Sequence, residues 1–182
     1  MQSLQNHFLI AMPCMTDPSF SRTVTLVCEH NEEGAMGIVI NRATPYAAKD
    51  LLEHASSTNS HFANAVMHAG GPVQAERGFI LHSNEGEWQQ SLSVSEQLAL
   101  TSSDDILTAL SNDQGPQQYF IALGYAGWGA GQLEQELAEN AWLHGPAHAD
   151  TLFEVPVEQR WTAAAQALGI DIHLLDSHAG HA

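Results

Sequence analysis

The first third of the chain alternates short apolar runs with turn-forming residues, a pattern typical of β-strands joined by tight connections. The apolar segment 8–12 is closed by Pro13 and predicts a buried strand. Segments 23–30 and 35–41 are rich in apolar and β-branched residues and flank the glycine-bearing turn 31–34, so they predict a hairpin. Because both faces of this hairpin are apolar, we expect it in the centre of the sheet.

The remainder mixes strands with helices. Short apolar runs predict further strands over segments 66–69, 78–82, 119–125 and 171–175. Apolar spacing and helix-end residues predict helices over segments 103–112, 132–140 and 156–168, with one or two helical turns within 49–54. The polar segment 55–64 predicts a loop, and segment 142–146 interrupts the helical pattern. Segment 92–100 is ambiguous between helix and strand.

The helix over 156–168 has the clearest signals of the three. Pro156 stands at its start and Gly169 just beyond its end, the usual positions of these residues around a helix. Its predicted buried stripe is Trp161, Ala164, Ala165 and Leu168. Because no repeat, linker or step in composition divides the chain, we expect one domain over residues 1–182, with hairpins and interspersed helices in an α+β fold.

The charge excludes one class of function. Five Lys and Arg oppose 21 Asp and Glu, which gives a formal net charge of −16, and protonating all 11 histidines would leave the chain negative. Binding to nucleic acid normally requires a basic face, and binding to an anionic membrane surface does so as well. The composition therefore predicts no direct nucleic-acid partner and no membrane partner.

The cysteine count and the N-terminus suggest a location. Cys14 and Cys28 are too few for a disulfide framework, and the first residues lack the charged and apolar regions of an export signal. No apolar stretch approaches the roughly 18 residues of a membrane-spanning helix. We expect a cytoplasmic protein with reduced thiols.

The sequence carries few patterns typical of catalysis or metal binding. His144 and His148 are separated by a Gly-Pro pair that excludes a helical zinc pair, and Cys28 with His30 would supply only two ligands. There is no Gly-x-Ser-x-Gly motif, and no cation neighbours Cys14 in the sequence to activate its thiol. The sequence predicts no catalytic residue, no metal site and no cofactor.

Two features leave a binding role open. The segment 127–131 has three glycines after an apolar strand, either as a tight connection to the next helix or as an anion site at that helix end, although its spacing departs from the dinucleotide fingerprint. Arg22, Arg42 and Arg77 each stand at a predicted strand end. They either pair with the abundant carboxylates, or two of them line a pocket for a small anion.

The order of short motifs along the chain resembles the AlgH/YqgE family. The matching motifs are Phe8-Leu-Ile-Ala-Met-Pro13, Asp17-Pro18 with Phe20, Glu29-His-Asn31, Gly34-Ala-Met-Gly37 up to Asn41, Gly70-Gly-Pro72, Arg77-Gly-Phe-Ile-Leu-His82, Thr101-Ser102, Leu123-Gly-Tyr-Ala126, Trp128, Gly131-Gln-Leu133, Glu136, Asn140-Ala-Trp142 and Ala179-Gly-His-Ala182. They cover essentially the whole chain, whereas Cys14 and Gly129 depart from the family pattern.

The resemblance implies a bifurcated mixed β-sheet curled into a pseudo-barrel with helices packed outside. It implies little about activity. One member is named for regulation of alginate synthesis and many are labelled transcriptional regulators, but the family offers no established catalytic residue, cofactor or DNA-binding motif to transfer to this chain.

Three hypotheses follow. The first is a regulatory domain that binds a small anion or a protein partner and affects transcription only indirectly, with candidate ligand-binding residues Arg77, His82, Tyr125, Trp128, Gly70 and Gly71. The second is an enzyme with a strand-end site near Arg77 and His82. The third, a direct DNA-binding regulator, is disfavoured by the net charge. Trp128 and Trp142 are also typical core anchors, and Glu134, Glu136 and Glu139 predict a solvated helix face.

Overall fold

The computed structural model describes residues 2–52 and 57–178. Its strands are β1 (His7–Ala11), β2 (Val24–Asn31), β3 (Gly34–Val39), β4 (Ala43–Ala47), β5 (Val66–Ala69), β6 (Val73–Ser83), β7 (Ser91–Ser93), β8 (Leu98–Thr101), β9 (Tyr119–Gly129) and β10 (Trp142–Pro146). Its α-helices are α1 (Ser60–Ala63), α2 (Asp104–Ser111), α3 (Gln132–Ala138), α4 (Ala149–Phe153), α5 (Arg160–Ala167) and α6 (Ile172–His178). Two 3₁₀ turns, Ala48–Leu51 and Val157–Gln159, complete the regular structure of this part of the chain.

The sheet branches at its long strand β9. Along the main path the strands follow the order β10-β1-β2-β3-β9-β6-β8-β7. The last residues of β9 pair with β3, its first residues pair with β5 in parallel, and its other edge pairs with β6. One strand therefore joins two sheet branches, and the result is the expected α+β fold with a bifurcated, mixed and curled sheet.

The core lies on both faces of the sheet because successive side chains of a strand point to opposite sides. Phe8 and Ile10 of β1 belong to the larger cluster, which α4 and α5 cover with Leu152 and Trp161. Leu9 belongs to a second cluster together with the side chains of Val27, Ala126, Trp128, Leu133 and Trp142. This two-sided burial explains why the strands of the hairpin are apolar on both faces.

Several predictions from the sequence pattern are confirmed. The β2–β3 hairpin occupies the centre of the sheet, between β1 and β9. The predicted strands at 8–12 and 66–69 and the helices at 103–112, 132–140 and 156–168 are present, although a 3₁₀ turn opens the last one. Leu168 is only partly buried, unlike the other three residues of its predicted stripe.

Other predictions were wrong where tertiary pairing decides the structure. Segment 171–175 is a helix, not a strand: Asp171 Oδ1 accepts the His173 N–H at 3.1 Å and Ile172 is buried. Segment 142–146 forms β10, an edge strand on β1 where a proline is tolerated. The ambiguous segment 92–100 contributes to β7 and β8, and the predicted strands at 78–82 and 119–125 extend to Val73–Ser83 and Tyr119–Gly129.

The remaining differences concern short helices. The sequence did not indicate α4, and α1 occupies part of the predicted loop at 55–64. The 3₁₀ turn over Ala48–Leu51 agrees with one helical turn predicted within 49–54, and residues 57–59 form neither helix nor strand, as predicted. The parts of both predictions that concern residues 53–56 lie outside the described residues. The same is true of the last family motif, Ala179 to Ala182.

Candidate functional site

A groove of about 880 Å³ crosses the sheet where its two branches meet at β9. The β2–β3 hairpin forms one side of this groove. The other side consists of β6, segment 89–92, and Leu100 and Ser102 at the end of β8. Tyr125 and Gly127 of β9 lie between the two sides. The branching of the sheet thus creates the concave surface that the candidate site occupies.

The groove has an apolar base that continues into the larger core cluster. Phe79 is buried and meets the Tyr125 ring edge to face, with 5.6 Å between the ring centroids. Met36 and Leu92 pack against the same cluster while remaining partly exposed in the groove. A ligand in the groove would therefore contact aromatic and aliphatic carbon at the base of the groove.

Arg77 reaches the groove because β6 bulges away from β9. Val73 pairs with Tyr125 and Gly78 with Leu123, so five residue steps on β6 face two on β9. The unpaired residues between them begin at Gln74, whose φ is +49°, in the left-handed region. The bulge directs the exposed Arg77 to the groove rather than along the sheet edge.

Neutral partners orient the Arg77 guanidinium. Its Nη1 donates to Gln74 Oε1 at 3.3 Å, and its Nη2 donates to Gln90 Oε1 at 3.1 Å and to Ser102 Oγ at 3.0 Å. The guanidinium carbon lies 5.5 Å from the centroid of the Phe79 ring. No carboxylate among residues 2–52 and 57–178 forms an ion pair with it, so its charge is not neutralised within this part of the protein.

The opposite rim carries negative charge. Glu29 and Glu33 of the hairpin line the groove with Asn31 between them. Asn31 Nδ2 donates to Glu29 Oε1 at 3.3 Å, and its Oδ1 accepts the backbone N–H of Glu33 at 2.8 Å. One side of the groove is thus cationic and the other is anionic.

Trp128 lines the groove and also anchors the second core cluster. The ring is buried, and its indole N–H donates to Glu136 Oε2 at 2.8 Å. The indole N–H of Trp142 donates to the same oxygen, also at 2.8 Å. The core interpretation of both tryptophans therefore agrees with the structure, whereas Glu136 is a hydrogen-bond acceptor for the core rather than part of a solvated face.

Three of the six candidate binding residues, Arg77, Tyr125 and Trp128, meet in the groove, and three do not. His82 is buried on the face of β6 opposite Phe79, with Nε2 2.8 Å from Thr101 Oγ1 and Nδ1 2.8 Å from the carbonyl of Ser83. Burial lowers the pKa of His82. Its position links β6 to β8, and a ligand-binding role for it remains a prediction.

Gly70 and Gly71 lie behind the groove, against β9. A Cβ on Gly71 would lie 2.1 Å from the carbonyl carbon of Tyr125, and the φ of Gly71 is +154°. A Cβ on Gly70 would lie 2.4 Å from the carbonyl oxygen of Gly124. Both glycines let the chain approach β9 closely, which positions Tyr125, and any direct contact with a ligand is untested.

The arginines do not converge. Arg42 Nη2 donates to the carbonyl of Ser21 at 3.1 Å, and the Arg22 guanidinium lies 5.2 Å from the centroid of a Trp161 ring. Neither of these arginines lines the groove, so the two-arginine pocket is not formed there. Segment 127–131 forms the tight connection that was one of its two predicted alternatives, because β9 continues to Gly129 and only two residues connect it to α3.

The part of the chain that the structure describes contains no group of three His, Cys, Asp or Glu side chains arranged to hold a metal ion. None of its helices is long and apolar enough to cross a bilayer.

Sequence reasoning missed the partners that orient Arg77. Gln74, Gln90 and Ser102 come from three separate segments, and only the bulge and the β7–β8 pairing bring them together. Ser102 belongs to a matching family motif, which could have indicated it. Neither glutamine carried a signal, because the sequence of a polar segment does not indicate whether a Gln side chain binds a neighbouring residue or only water.

The sequence has relatives that match over its whole length. The family model DUF179, described as AlgH-like, matches residues 8–173. A UPF0301 protein of Thioalkalivibrio sulfidiphilus is 54% identical over 178 residues, which cover 97% of this chain and 96% of that protein. A UPF0301 protein of Saccharophagus degradans is 48% identical over 181 residues, covering 99% of this chain and 89% of that protein.

Solved structures agree with the fold. The solution structure of the AlgH protein from Pseudomonas aeruginosa matches with a TM-score of 0.82 and 47% identity, covering 100% of both chains. The crystal structure of a protein from Corynebacterium diphtheriae matches with a TM-score of 0.74 over 97% of this chain and 93% of that one, and at 18% identity it supports the fold alone. By sequence and structure together, the chain belongs to the AlgH-like family, whose UPF0301 members carry no molecular activity in their name.

Proposed function

We propose that this protein is a regulatory binding protein whose groove takes a small organic molecule with an apolar body and one anionic group. The observation that carries this proposal is Arg77, held by neutral partners at the edge of the apolar base of the groove. An arginine whose donors are already oriented binds a carboxylate or phosphate at a lower entropic cost than a free one.

The strongly negative net charge strengthens the argument that Arg77 binds an anionic ligand. A chain with a formal charge of −16 repels anions at long range, so an anionic ligand needs local donors to bind. Arg77 is one of five Lys and Arg in the chain, and it has no ion-pair partner among the described carboxylates. A ligand anion would supply the missing negative charge.

The two sides of the groove also restrict the chemistry of the ligand. Phe79 and Tyr125 favour an apolar or aromatic body beside the guanidinium. Glu29 and Glu33 repel a second anionic group at the other side. We therefore expect monoanions to bind more tightly than dicarboxylates of similar length.

Regulation through a bound small molecule fits the charge better than direct contact with DNA, since a polyanion would meet a strongly acidic protein. Any effect on transcription would then pass through a partner, and we assign the protein to the cytosol with its two thiols reduced. An enzyme that uses Arg77 and His82 together is less well supported, because His82 is buried and bonded to Thr101 outside the groove.

Thermal unfolding of the full chain can test the proposal with aromatic and aliphatic monocarboxylates, each paired with its neutral primary amide. A ligand that binds only the folded state raises the midpoint of unfolding. We expect aromatic acids to stabilise the protein more than their amides, and more than acetate. Arg77→Gln should abolish the difference between acid and amide while leaving the weak effect of the apolar body.

Lys49→Gln is the matched control, because Lys49 is exposed, lies outside the groove and carries the same charge. This variant should retain the preference for the acid. The proposal fails if acids and amides stabilise the wild-type protein equally, or if Lys49→Gln and Arg77→Gln reduce the preference by the same amount.

A further inference from the structure

A second cavity, of about 320 Å³, lies against the first residues of β9 and shares no lining residue with the groove. It is enclosed by α1, by β5 and β9, and by the helices α4 and α5. Its lining includes the side chains of His61, His68, Tyr119, Phe120, Phe153 and Arg160. Two of these, His68 and Arg160, are buried polar groups that the proposed function does not use.

Arg160 is the buried member of the five Lys and Arg, with 6% of its surface exposed. Its Nε donates to the carbonyl of Val155 at 2.9 Å, and its Nη1 donates to the carbonyl of Ile40. No ion pair joins Arg160 to a carboxylate of the described chain. Glu158 favours its charged form only from a distance, and burial lowers the pKa of Arg160 to about 10.

A buried guanidinium without a counter-charge is costly, because carbonyl dipoles replace only part of the lost hydration. The same cost would be offset by an anion bound beside it. Its Nη2 has no hydrogen-bond partner among the residues described here, so donors remain for such an anion.

His68 supplies the complementary group. It is 7% exposed, and its ring stacks on Phe120 with 4.1 Å between centroids, while the Arg160 guanidinium carbon lies 5.3 Å from the centroid of the same Phe120 ring. His68 Nδ1 lies 3.2 Å from the carbonyl oxygen of Ile121. Because a carbonyl can only accept, Nδ1 carries the hydrogen, and Nε2 of the neutral ring presents a lone pair.

The neutral form of His68 is the stable one. Burial, with a smaller contribution from the positive charge of Arg160, lowers its pKa to about 4. Nε2 has no described hydrogen-bond partner and therefore remains an acceptor at neutral pH. The cavity thus offers cationic donors from Arg160 and one neutral acceptor from His68.

We propose that Arg160 and His68 hold a phosphate group in this cavity. Near neutral pH a phosphate group can keep one hydroxyl, which donates to His68 Nε2, while its unprotonated oxygens accept from Arg160. Sulfate and carboxylate carry no such hydrogen at neutral pH and would face the lone pair of His68 with another acceptor. The site therefore distinguishes phosphate from anions of the same charge and similar size.

The test follows the ring signals of ¹⁵N-histidine-labelled full-length protein by NMR during titration with inorganic phosphate or with sulfate at constant ionic strength. The His68 signals are assigned by their loss in His68→Gln. We expect a saturable shift of the His68 signals with phosphate and a roughly tenfold weaker response to sulfate, the effect of losing one hydrogen bond to a charged group. Methyl phosphate in the same titration separates a free ion from a phosphate ester: either order of affinity supports the phosphate site and indicates which form it prefers.

Variants separate a site from a structural role of Arg160. Arg160→Lys keeps the charge but loses the planar fork, and it should weaken phosphate binding by roughly tenfold. His68→Gln should bind phosphate and sulfate equally, as judged by calorimetry, and it keeps the test open if Arg160→Lys does not fold. Arg77→Gln is the control and should bind phosphate as the wild type does. The proposal is overturned if phosphate gives no saturable shift at His68, or if sulfate and phosphate bind equally to the wild-type protein.

Discussion

Nε2 of the buried His30 lies 2.8 Å from Oε1 of Glu134, which joins the central hairpin to helix α3. The other ring nitrogen of His30, Nδ1, accepts the backbone N–H of Leu4 at 3.0 Å. Nδ1 is therefore unprotonated and Nε2 carries the hydrogen that Glu134 accepts. The contact connects three segments that are distant in the sequence and satisfies a buried polar group.

Replacing Glu134 should destabilise the protein. Glu134→Ala leaves the buried Nε2–H of His30 without an acceptor, which costs about 1–3 kcal/mol in the free energy of unfolding. Glu134→Gln retains an acceptor oxygen and should lose less. Urea denaturation measures both, with Glu139→Ala as the control, since Glu139 is exposed and its side chain accepts from Gln135, one helical turn earlier. Equal stability of Glu134→Ala and Glu139→Ala would contradict a structural role for this contact.

A second prediction concerns Glu136, whose Oε2 accepts both buried indole N–H groups of Trp128 and Trp142. Glu136→Leu leaves both donors unsatisfied, so we expect a loss of about 3 kcal/mol in the free energy of unfolding. Two of the four indole N–H signals in the ¹H–¹⁵N spectrum should also move upfield, because their hydrogen bonds are lost.

Gln132→Ala is the control for this variant, since Gln132 donates to the other oxygen of Glu136 at 3.0 Å and is exposed. Gln132 Oε1 also accepts the backbone N–H of Gly129 at 3.0 Å, so the variant should lose some stability, but less than Glu136→Leu, and leave the two indole signals nearly unchanged. If Glu136→Leu were as stable as the wild type, the shared acceptor would contribute nothing to the packing of this cluster.

The sequence predicted those elements whose local residue pattern is sufficient to specify a strand, a turn or a helix. The β2–β3 hairpin has apolar strands around a glycine-bearing turn, and α2 has Ser103 and two aspartates at its start. By contrast, β10 is a strand because β1 offers it an edge, and α6 is a helix because Ile172 packs into the core. Neither fact is encoded in the periodicity of the five or seven residues concerned.

The candidate groove was predictable in part for the same reason. Arg77 was identifiable because cations are rare in this chain, and Tyr125 and Trp128 because they stand at a predicted strand end within matching family motifs. The bulge that directs Arg77 to the groove depends on how β6 pairs with β9. Burial of Arg160 and His68 depends on the packing of α5 and β5, so their residue types alone gave no indication of a cavity.

The two thiols should differ in reactivity. Cys14 is exposed, whereas Cys28 is fully buried in the larger core cluster and burial raises the pKa of its thiol. A thiolate is the reactive form, so Cys28 is protected both by exclusion of the reagent and by its protonation. We expect an aromatic disulfide reagent to label one thiol rapidly in the native protein and two in denaturant.

Cys14→Ser is the matched variant and should show no rapid labelling before unfolding. Rapid labelling of this variant under native conditions would mean that the β2 region opens readily, contrary to the burial of Cys28.

The dependence of stability on pH should reveal His68. Burial lowers its pKa in the folded protein from about 6.5 to about 4, so the unfolded state binds more protons between these values. The contribution of neutral His68 is fully present above about pH 6.5 and is lost as the pH falls towards 4, by about 3 kcal/mol in total. His82 contributes in the same direction, because burial lowers its pKa as well.

We therefore expect His68→Gln to flatten the fall in the free energy of unfolding between pH 6.5 and pH 4, measured by urea denaturation in buffers without phosphate. The residual slope should come from His82 and the carboxylates. His148→Gln removes an exposed imidazole and should follow the wild-type curve. If the stability difference between wild type and His68→Gln were the same at both ends of this range, burial would not lower the pKa of His68 in the folded protein.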